Sequence, residues 1–153
     1  MKTRTIFILI SAFCLGNQII AQSPLVDRKG EIHFFSNAPL EDIEATNKEA
    51  LGAIDLEKGT IAVSMLMKGF EFEKSLMQEH FNENYIESDK FPKATFKGTL
   101  SNFESLDFKK AGNFEAEVNG EIEIHGVTKP WNATVQFEVT PTSMSAKTVF
   151  MVV

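Results

Sequence analysis

The sequence predicts an all-β fold, a barrel or sandwich of six to eight short antiparallel strands with one short helix. Apolar and polar residues alternate with a period of two in several runs, and turn residues separate these runs. One stretch instead has apolar residues at helical spacing. Because such alternation is typical of an antiparallel sheet with one buried face, we expect a single curved sheet or two packed sheets.

The first half of the chain contains three segments with different patterns. Residues 31–36 alternate and predict a strand. Residues 41–55 are ambiguous, since their Ala and Glu content suits a helix while their last residues also fit a strand. Residues 60–72 alternate until Gly69, where the apolar phase shifts to Phe70 and Phe72. We expect a β-bulge at this glycine.

The helical stretch covers residues 74–85. Leu76, Met77, His80 and Phe81 recur there at spacings of three and four, which predicts a short amphipathic helix. Pro92 ends this region because proline favours an extended conformation at the preceding residue.

The second half of the chain alternates again. Strands are predicted at 94–100, at 114–124 around Asn119-Gly120, at 131–139 and at 148–153. An eight-stranded barrel has an interior wide enough for side chains or one slim ligand. The chain contains 14 Phe, so a solid core and a lined cavity fit the pattern equally well.

The amino terminus has the three-part layout of a secretory signal peptide. Lys2 and Arg4 precede an apolar run, and a short stretch then ends at Ala21. We predict a signal peptide at 1–21, a single domain at 22–153, and a periplasmic or secreted product. The only cysteine, Cys14, lies in the predicted signal, so the domain must rest on its apolar core without disulfides.

Charge and motifs exclude several classes of function. The chain has 15 Lys+Arg against 21 Asp+Glu, which disfavours nucleic acid or an anionic membrane as a partner. His33, His80 and His125 are scattered and form no metal-binding motif. There is no nucleophile elbow and no phosphate loop. We therefore predict a non-catalytic protein without cofactor or metal.

Residues 125–130 read HGVTKP and physically indicate a turn. Gly126 permits a positive φ, and Pro130 fixes the start of the next strand. The alternative is a functional role, in which His125 or Lys129 meets a polar or phosphorylated ligand head.

Two blocks of the sequence resemble one family. Residues 120–130, GEIEIHGVTKP, resemble the signature of the YceI-like family of exported, polyisoprenoid-binding, lipocalin-like proteins. Residues 76–81, LMQEHF, and 85–98, YIESDKFPKATFKG, resemble that family's helix and following strand. The resemblance extends from about residue 30 to residue 139.

This resemblance implies an antiparallel lipocalin-like β-barrel with the helix near its mouth, an elongated apolar cavity, and a polyisoprenoid or other long-chain lipid as ligand. Such a ligand binds without charged contacts, because each buried methylene contributes about 0.8 kcal/mol. His125 and Lys129 are candidates for the head group. The candidate cavity residues are the large apolar ones of the matching strands and helix: Met65, Met67, Phe70, Phe72, Met77, Phe81, Phe91, Phe96, Trp131, Val135 and Phe137.

The chain departs from the family pattern at both ends. Residues 31–50 replace the usual first strand with a version typical of Bacteroidetes-like members. The chain stops at Val153 within an apolar run, so we expect a truncated chain and a barrel incomplete at its carboxyl-terminal strand. An unpaired strand edge would invite a homodimer. The rival hypothesis is a periplasmic structural or stress-response partner protein with a solid core.

Overall fold

The protein is a curled antiparallel sheet that forms a half-barrel. The computed structural model describes residues 24–37 and 42–149. The predicted signal peptide, the end of the predicted last strand and the point where the chain stops lie outside these residues. Within them, the all-β antiparallel class with one short helix is confirmed.

Eight strands and one helix make up the described part. The strands are β1 (Leu25–Ser36), β2 (Ile43–Asp55), β3 (Thr60–Leu66), β4 (Glu71–Phe72), β5 (Lys93–Leu100), β6 (Gly112–Ile124), β7 (Val127–Val139) and β8 (Met144–Thr148). Helix α1 (Ser75–His80) continues into a π-helical turn (Phe81–Tyr85). The ambiguous segment 41–55 is therefore mostly strand β2, and the predicted helix at 74–85 is confirmed.

The strands pair in the order β1-β2-β3-β5-β6-β7-β8, and β4 pairs with β2. Each of these pairings is antiparallel. Over the described residues β1 pairs with β2 and β8 with β7, and β1 and β8 are not paired with each other. The sheet is thus open along one side, where the expected barrel would have closed.

One local expectation is wrong. Residues Met67–Gly69 form a 3-10 turn between β3 and β4, so the shift of phase at Gly69 marks a turn and not a β-bulge. Register irregularities lie instead in β1, around Gly30. Asn119-Gly120 lies inside the continuous strand β6, in agreement with the strand predicted at 114–124.

The hairpin between β6 and β7 turns at Gly126 as predicted, but the turn is shorter than residues 125–130. Strand β7 already begins at Val127, so Pro130 lies inside the strand and does not fix its start. His125 and Gly126 have φ values of 53° and 71°, and Ile124 pairs with Val127. Two central residues with positive φ are typical of the type I′ turn that suits a two-residue hairpin. The role of Gly126 is confirmed.

Candidate functional site

One face of the sheet, here called the inner face, carries nearly all of the buried apolar side chains. Strand register places alternate residues of neighbouring strands on this face, as in the pairs Met65 with Ala94 and Phe96 with Ile122. The opposite, outer face is polar along β6, where Glu115, Glu117, Glu121 and Glu123 are all exposed. The inner face is therefore the surface on which an apolar ligand would bind.

The helix-end cluster is the apolar group where β3 ends and β5 begins. Its buried members are Ala45, Met67, Phe70, Phe72 and Ala94, and its partly buried members are Ile32, Ile43, Met65, Met77, Phe81, Ile86 and Ile124. Phe81 is its centre, with ring centroids 5.8 Å from Phe70 and 4.9 Å from Phe72. Helix α1 is thereby held on the inner face.

Helix α1 presents only part of its predicted stripe to this cluster. Met77 and Phe81 pack against the sheet, whereas Leu76 is 61% exposed and His80 is exposed. The sequence spacing predicted the helix correctly. It also placed Leu76 and His80 on the buried face of the helix, and these two residues are exposed.

The central cluster fills the middle and the far end of the inner face. Its buried members are Ile54, Phe96, Leu100, Ala116, Val118, Ile122, Val135 and Phe137. The ring of Phe96 meets Trp131 edge to face at 5.1 Å, and Phe108 meets Phe137 at 5.1 Å. Phe108 belongs to the connection between β5 and β6, which closes the end of the half-barrel opposite the helix.

The two clusters form one continuous apolar track. Ile124 packs against both of them. On β3, Val63 belongs to the central cluster and Met65, two residues later, belongs to the helix-end cluster. On β5, Phe96 belongs to the central cluster and Ala94 to the helix-end cluster. Because β5 has 8 residues, the track is about 25 Å long at the usual rise of a strand.

The predicted ligand-binding residues divide into two groups by burial. Half-buried residues retain surface that a ligand can contact, and they are Met65, Met77, Phe81, Phe91 and Trp131. Buried residues are packed by the protein itself, and they are Met67, Phe70, Phe72, Phe96, Val135 and Phe137. Any ligand surface thus consists mainly of the first group.

Phe91 differs from the other candidates in its surroundings. Its ring packs edge to face on the His125 imidazole, with centroids 4.5 Å apart. A Cβ at Gly126 would lie 2.6 Å from the Phe91 ring. Phe91 therefore supports the tip of the β6–β7 hairpin.

His125, a candidate for the ligand head group, lies at the helix end. Its Nε2 donates a hydrogen bond to Glu87 Oε2 at 2.9 Å, and this contact joins the hairpin to the residues that follow the helix. The other candidate, Lys129, is exposed on β7, where it pairs with Ile122. Both candidates lie on the carboxyl-terminal side of β6, close to Ile124 of the helix-end cluster.

The charge of Glu87 is stabilised by its neighbours. The hydrogen bond from His125 is the main cause that lowers the pKa of the Glu87 carboxyl below its ordinary value, and the nearby Lys90 ammonium adds to it. Lys90 Nζ lies 3.6 Å from Glu87 Oε1. At neutral pH the helix end of the apolar track therefore carries the negative charge of Glu87 beside the His125 imidazole and the Lys90 ammonium group.

Two surface depressions, of about 500 and 610 Å³, lie mainly on the outer face. Glu115, Gln136 and Lys147 line one of them, and Ala53, Ala62 and Lys97 line the other. Of the predicted cavity residues, only Phe137 lines either depression. The candidate site on the inner face is the trough that the curled half-barrel forms along the apolar track.

The described residues contain no group of three or more His, Cys, Asp or Glu side chains that would hold a metal ion. Likewise, none of the helices formed by residues 24–37 and 42–149 has the length and apolar character needed to cross a membrane.

Sequence reasoning missed several residues of the site. Ile32 packs against the helix-end cluster, and the ring centroids of Phe34 and Phe81 are 6.2 Å apart. The alternation within β1 would have identified both Ile32 and Phe34. Asn47 is fully buried, and its Nδ2 donates to the Leu66 carbonyl at 2.9 Å. No sequence signal marks Asn47 or pairs Glu87 with His125.

The fold and site define a class: a curled antiparallel sheet protein with an apolar inner face, one covering helix and a polar hairpin at the helix end. Residues 26–152 match the model of the YceI-like domain, and the chain belongs to the YceI-like family. A search of curated proteins finds none with significant sequence similarity.

Several solved structures are similar in fold. A polyisoprenoid binding domain from Saccharophagus degradans implicated in plant cell wall breakdown has 11% identity and a TM-score of 0.63, with 76% of this chain and 68% of that chain covered. The Campylobacter jejuni YCEI protein has 13% identity and a TM-score of 0.43, with coverages of 90% and 69%. A mutant CJ YCEI protein with a monobromobimane guest has 15% identity and a TM-score of 0.44, with the same coverages.

Proposed function

We propose that this protein is an exported, non-catalytic binding protein that holds a polyisoprenoid or another long-chain amphiphile along its inner face. The observation that carries the proposal is the continuous apolar track formed by the helix-end and central clusters. The similarity in fold to a polyisoprenoid binding domain supports this choice of ligand class.

The half-buried residues along the track form the contact surface. Met65 and Trp131 lie on β3 and β7, and Met77 and Phe81 reach over from the helix. A hydrocarbon placed on them gains about 25 cal/mol for each Å² of apolar surface removed from water. Methionine suits such a surface because its flexible thioether adapts to irregular ligands.

The polar end of the ligand would lie at the helix end of the track. There the exposed Lys129 ammonium is a point charge for a phosphorylated or carboxylated head, and the His125 imidazole lies nearby on the same hairpin. The amphiphile would thus be oriented with its tail toward the central cluster.

Native mass spectrometry of the protein exported from its producing cells tests this function. We expect a bound lipid in the wild type and its loss in Met65→Trp, because the larger indole would occupy the trough. Leu51→Trp is the control, since Leu51 is 43% exposed and its partner Ser64 places it off the inner face.

One observation favours the rival function. Six of the eleven predicted ligand-binding residues are already buried among protein side chains, as expected for a structural or stress-response partner protein with a solid core. Repeated absence of any lipid from the purified wild type, together with a protein that co-purifies in fixed ratio, would support this rival.

A further inference from the structure

A short strap, residues 86–91, connects the helical segment to β5 and contacts the tip of the β6–β7 hairpin. Ile86 of the strap and Ile124 of the hairpin both pack against the helix-end cluster. Glu87 follows Ile86 in the chain and His125 follows Ile124, and these two residues form the 2.9 Å hydrogen bond. This hydrogen bond therefore joins two segments whose side chains pack against the same apolar cluster.

Both ends of the contact have a left-handed backbone conformation. Glu87 has φ of 47° and His125 has φ of 53°, and few residues other than glycine adopt such values. Conformations of this kind persist where surrounding contacts enforce them, and they are frequent in parts of proteins that switch. Loss of the contact would favour rearrangement of the backbone at Glu87, whereas the type I′ turn accounts for the positive φ of His125.

The strap is a tight turn that pivots on Glu87. The backbone N–H groups of Lys90 and Phe91 donate to the Glu87 carbonyl at 2.8 and 2.9 Å. Phe91 at the end of the strap packs on the His125 ring. Both ends of the strap therefore contact the hairpin tip, Glu87 through its carboxylate and Phe91 through its ring.

We propose that the His125–Glu87 contact is an acid-releasable clasp that gates the helix end of the trough. With the clasp closed, Ile86 and Ile124 cover the helix-end cluster; with it open, a hydrocarbon chain gains access to that cluster. This gate rests on the proposed function, since it regulates the same site.

The charged groups around the clasp set the direction of its pH response. Lys90 faces Glu87 from the strap itself, and Asp89 is paired with Lys68 of the turn before β4. On the hairpin, Glu123 and Lys129 are exposed. His125 and Lys90 both favour the ionised carboxylate of Glu87. Acid therefore weakens the clasp by protonating that group, and it does so only below the ordinary pKa of the carboxyl.

The clasp is tested with two conservative variants and two matched controls. Glu87→Gln removes the charge but keeps the shape, and His125→Asn keeps a residue that tolerates positive φ. Glu83→Gln and His80→Asn change exposed residues of the adjacent helical segment. Far-ultraviolet circular dichroism verifies that each variant is folded.

Amide hydrogen exchange of residues 86–91 gives a result that needs no ligand. We expect several-fold faster exchange in both clasp variants at neutral pH, and the same increase in the wild type only when the pH falls below 4.5, the ordinary pKa of the Glu87 carboxyl. The two controls should exchange like the wild type. Equal exchange in the clasp variants and the wild type would overturn the clasp.

The association rate of retinol, a fluorescent isoprenoid, tests the gate. We expect it to rise several-fold in Glu87→Gln at neutral pH, and in the wild type only below the ordinary pKa of the Glu87 carboxyl, 4.5. Faster exchange with an unchanged association rate would overturn the gate while leaving the proposed function intact. Absence of retinol binding in the wild type at every pH would contradict the proposed function and the gate together, and the exchange result would still decide whether the clasp exists.

Discussion

Gly98 of β5 and Gly120 of β6 lie directly opposite each other, and a Cβ at Gly120 would overlap the Lys97 carbonyl oxygen. That Cβ would also lie 2.6 Å from the Gly98 Cα. The two strands approach closely here because both residues lack side chains. This close approach lies between two interior strands of the curled sheet.

Gly120→Ala should therefore destabilise the fold. The added methyl group meets backbone atoms that cannot move without disturbing the strand pairing, and overpacking of this kind costs about 1–3 kcal/mol. Urea unfolding followed by circular dichroism measures the change. Gly52→Ala is the control, because no atom lies within 4 Å of its added Cβ; an equal loss in both variants would contradict the steric explanation.

Asn47→Ala should lower the free energy of unfolding by about 1–3 kcal/mol, the usual cost of leaving buried polar groups without partners. Asn47 donates to the Leu66 carbonyl and accepts a hydrogen bond from the Glu49 N–H at 2.9 Å. Asn132→Ala, at an exposed position of β7, is expected to change little. Calorimetric unfolding measures the free energy of unfolding of both variants. An equal decrease in Asn47→Ala and Asn132→Ala would contradict the role of the buried Asn47 side chain.

Phe137→Ala should cost about 3–5 kcal/mol, because a large buried ring is replaced by a cavity. Phe137 is 1% exposed and packs on Phe108. Phe35→Ala is the matched control, since Phe35 is 53% exposed. Chemical denaturation that ranks Phe35→Ala as the more damaging change would contradict the assignment of the core.

Glu87→Gln should remove part of the acid sensitivity of the fold. The pKa of Glu87 is lowered in the folded state, chiefly by His125, so its stabilising effect is present above its ordinary pKa and is lost as the pH falls. The wild type should thus be more stable than Glu87→Gln at neutral pH, and the difference should vanish in acid. Thermal melts across pH measure it, and a difference that grows in acid would have the wrong sign.

Alternation and helical spacing were sufficient to predict the class of fold, because both report which side of an element is buried. They placed the β6–β7 turn at Gly126 and the helix at Met77 and Phe81. They misread Gly69, since a 3-10 turn and a bulge produce the same shift of phase in the sequence. The pairing of Glu87 with His125 joins residues 38 positions apart, and no local pattern reports it.

The candidate site was harder to predict than the fold. Alternation shows that Phe96 and Trp131 face inward, but it does not show whether inward side chains meet each other or leave room for a ligand. In the structure these two rings pack edge to face, while Met65 keeps part of its surface. Only the packing of the folded chain separates core residues from candidate ligand contacts.

The most direct test of the account is photocrosslinking with a benzophenone-bearing farnesyl analogue, followed by mass spectrometry of the labelled peptides. The account predicts that label falls on Met65, Met77 and the strand around Trp131, and that excess retinol competes with it. Label confined to outer-face residues such as Leu51, or labelling that retinol does not reduce, would contradict binding along the inner face.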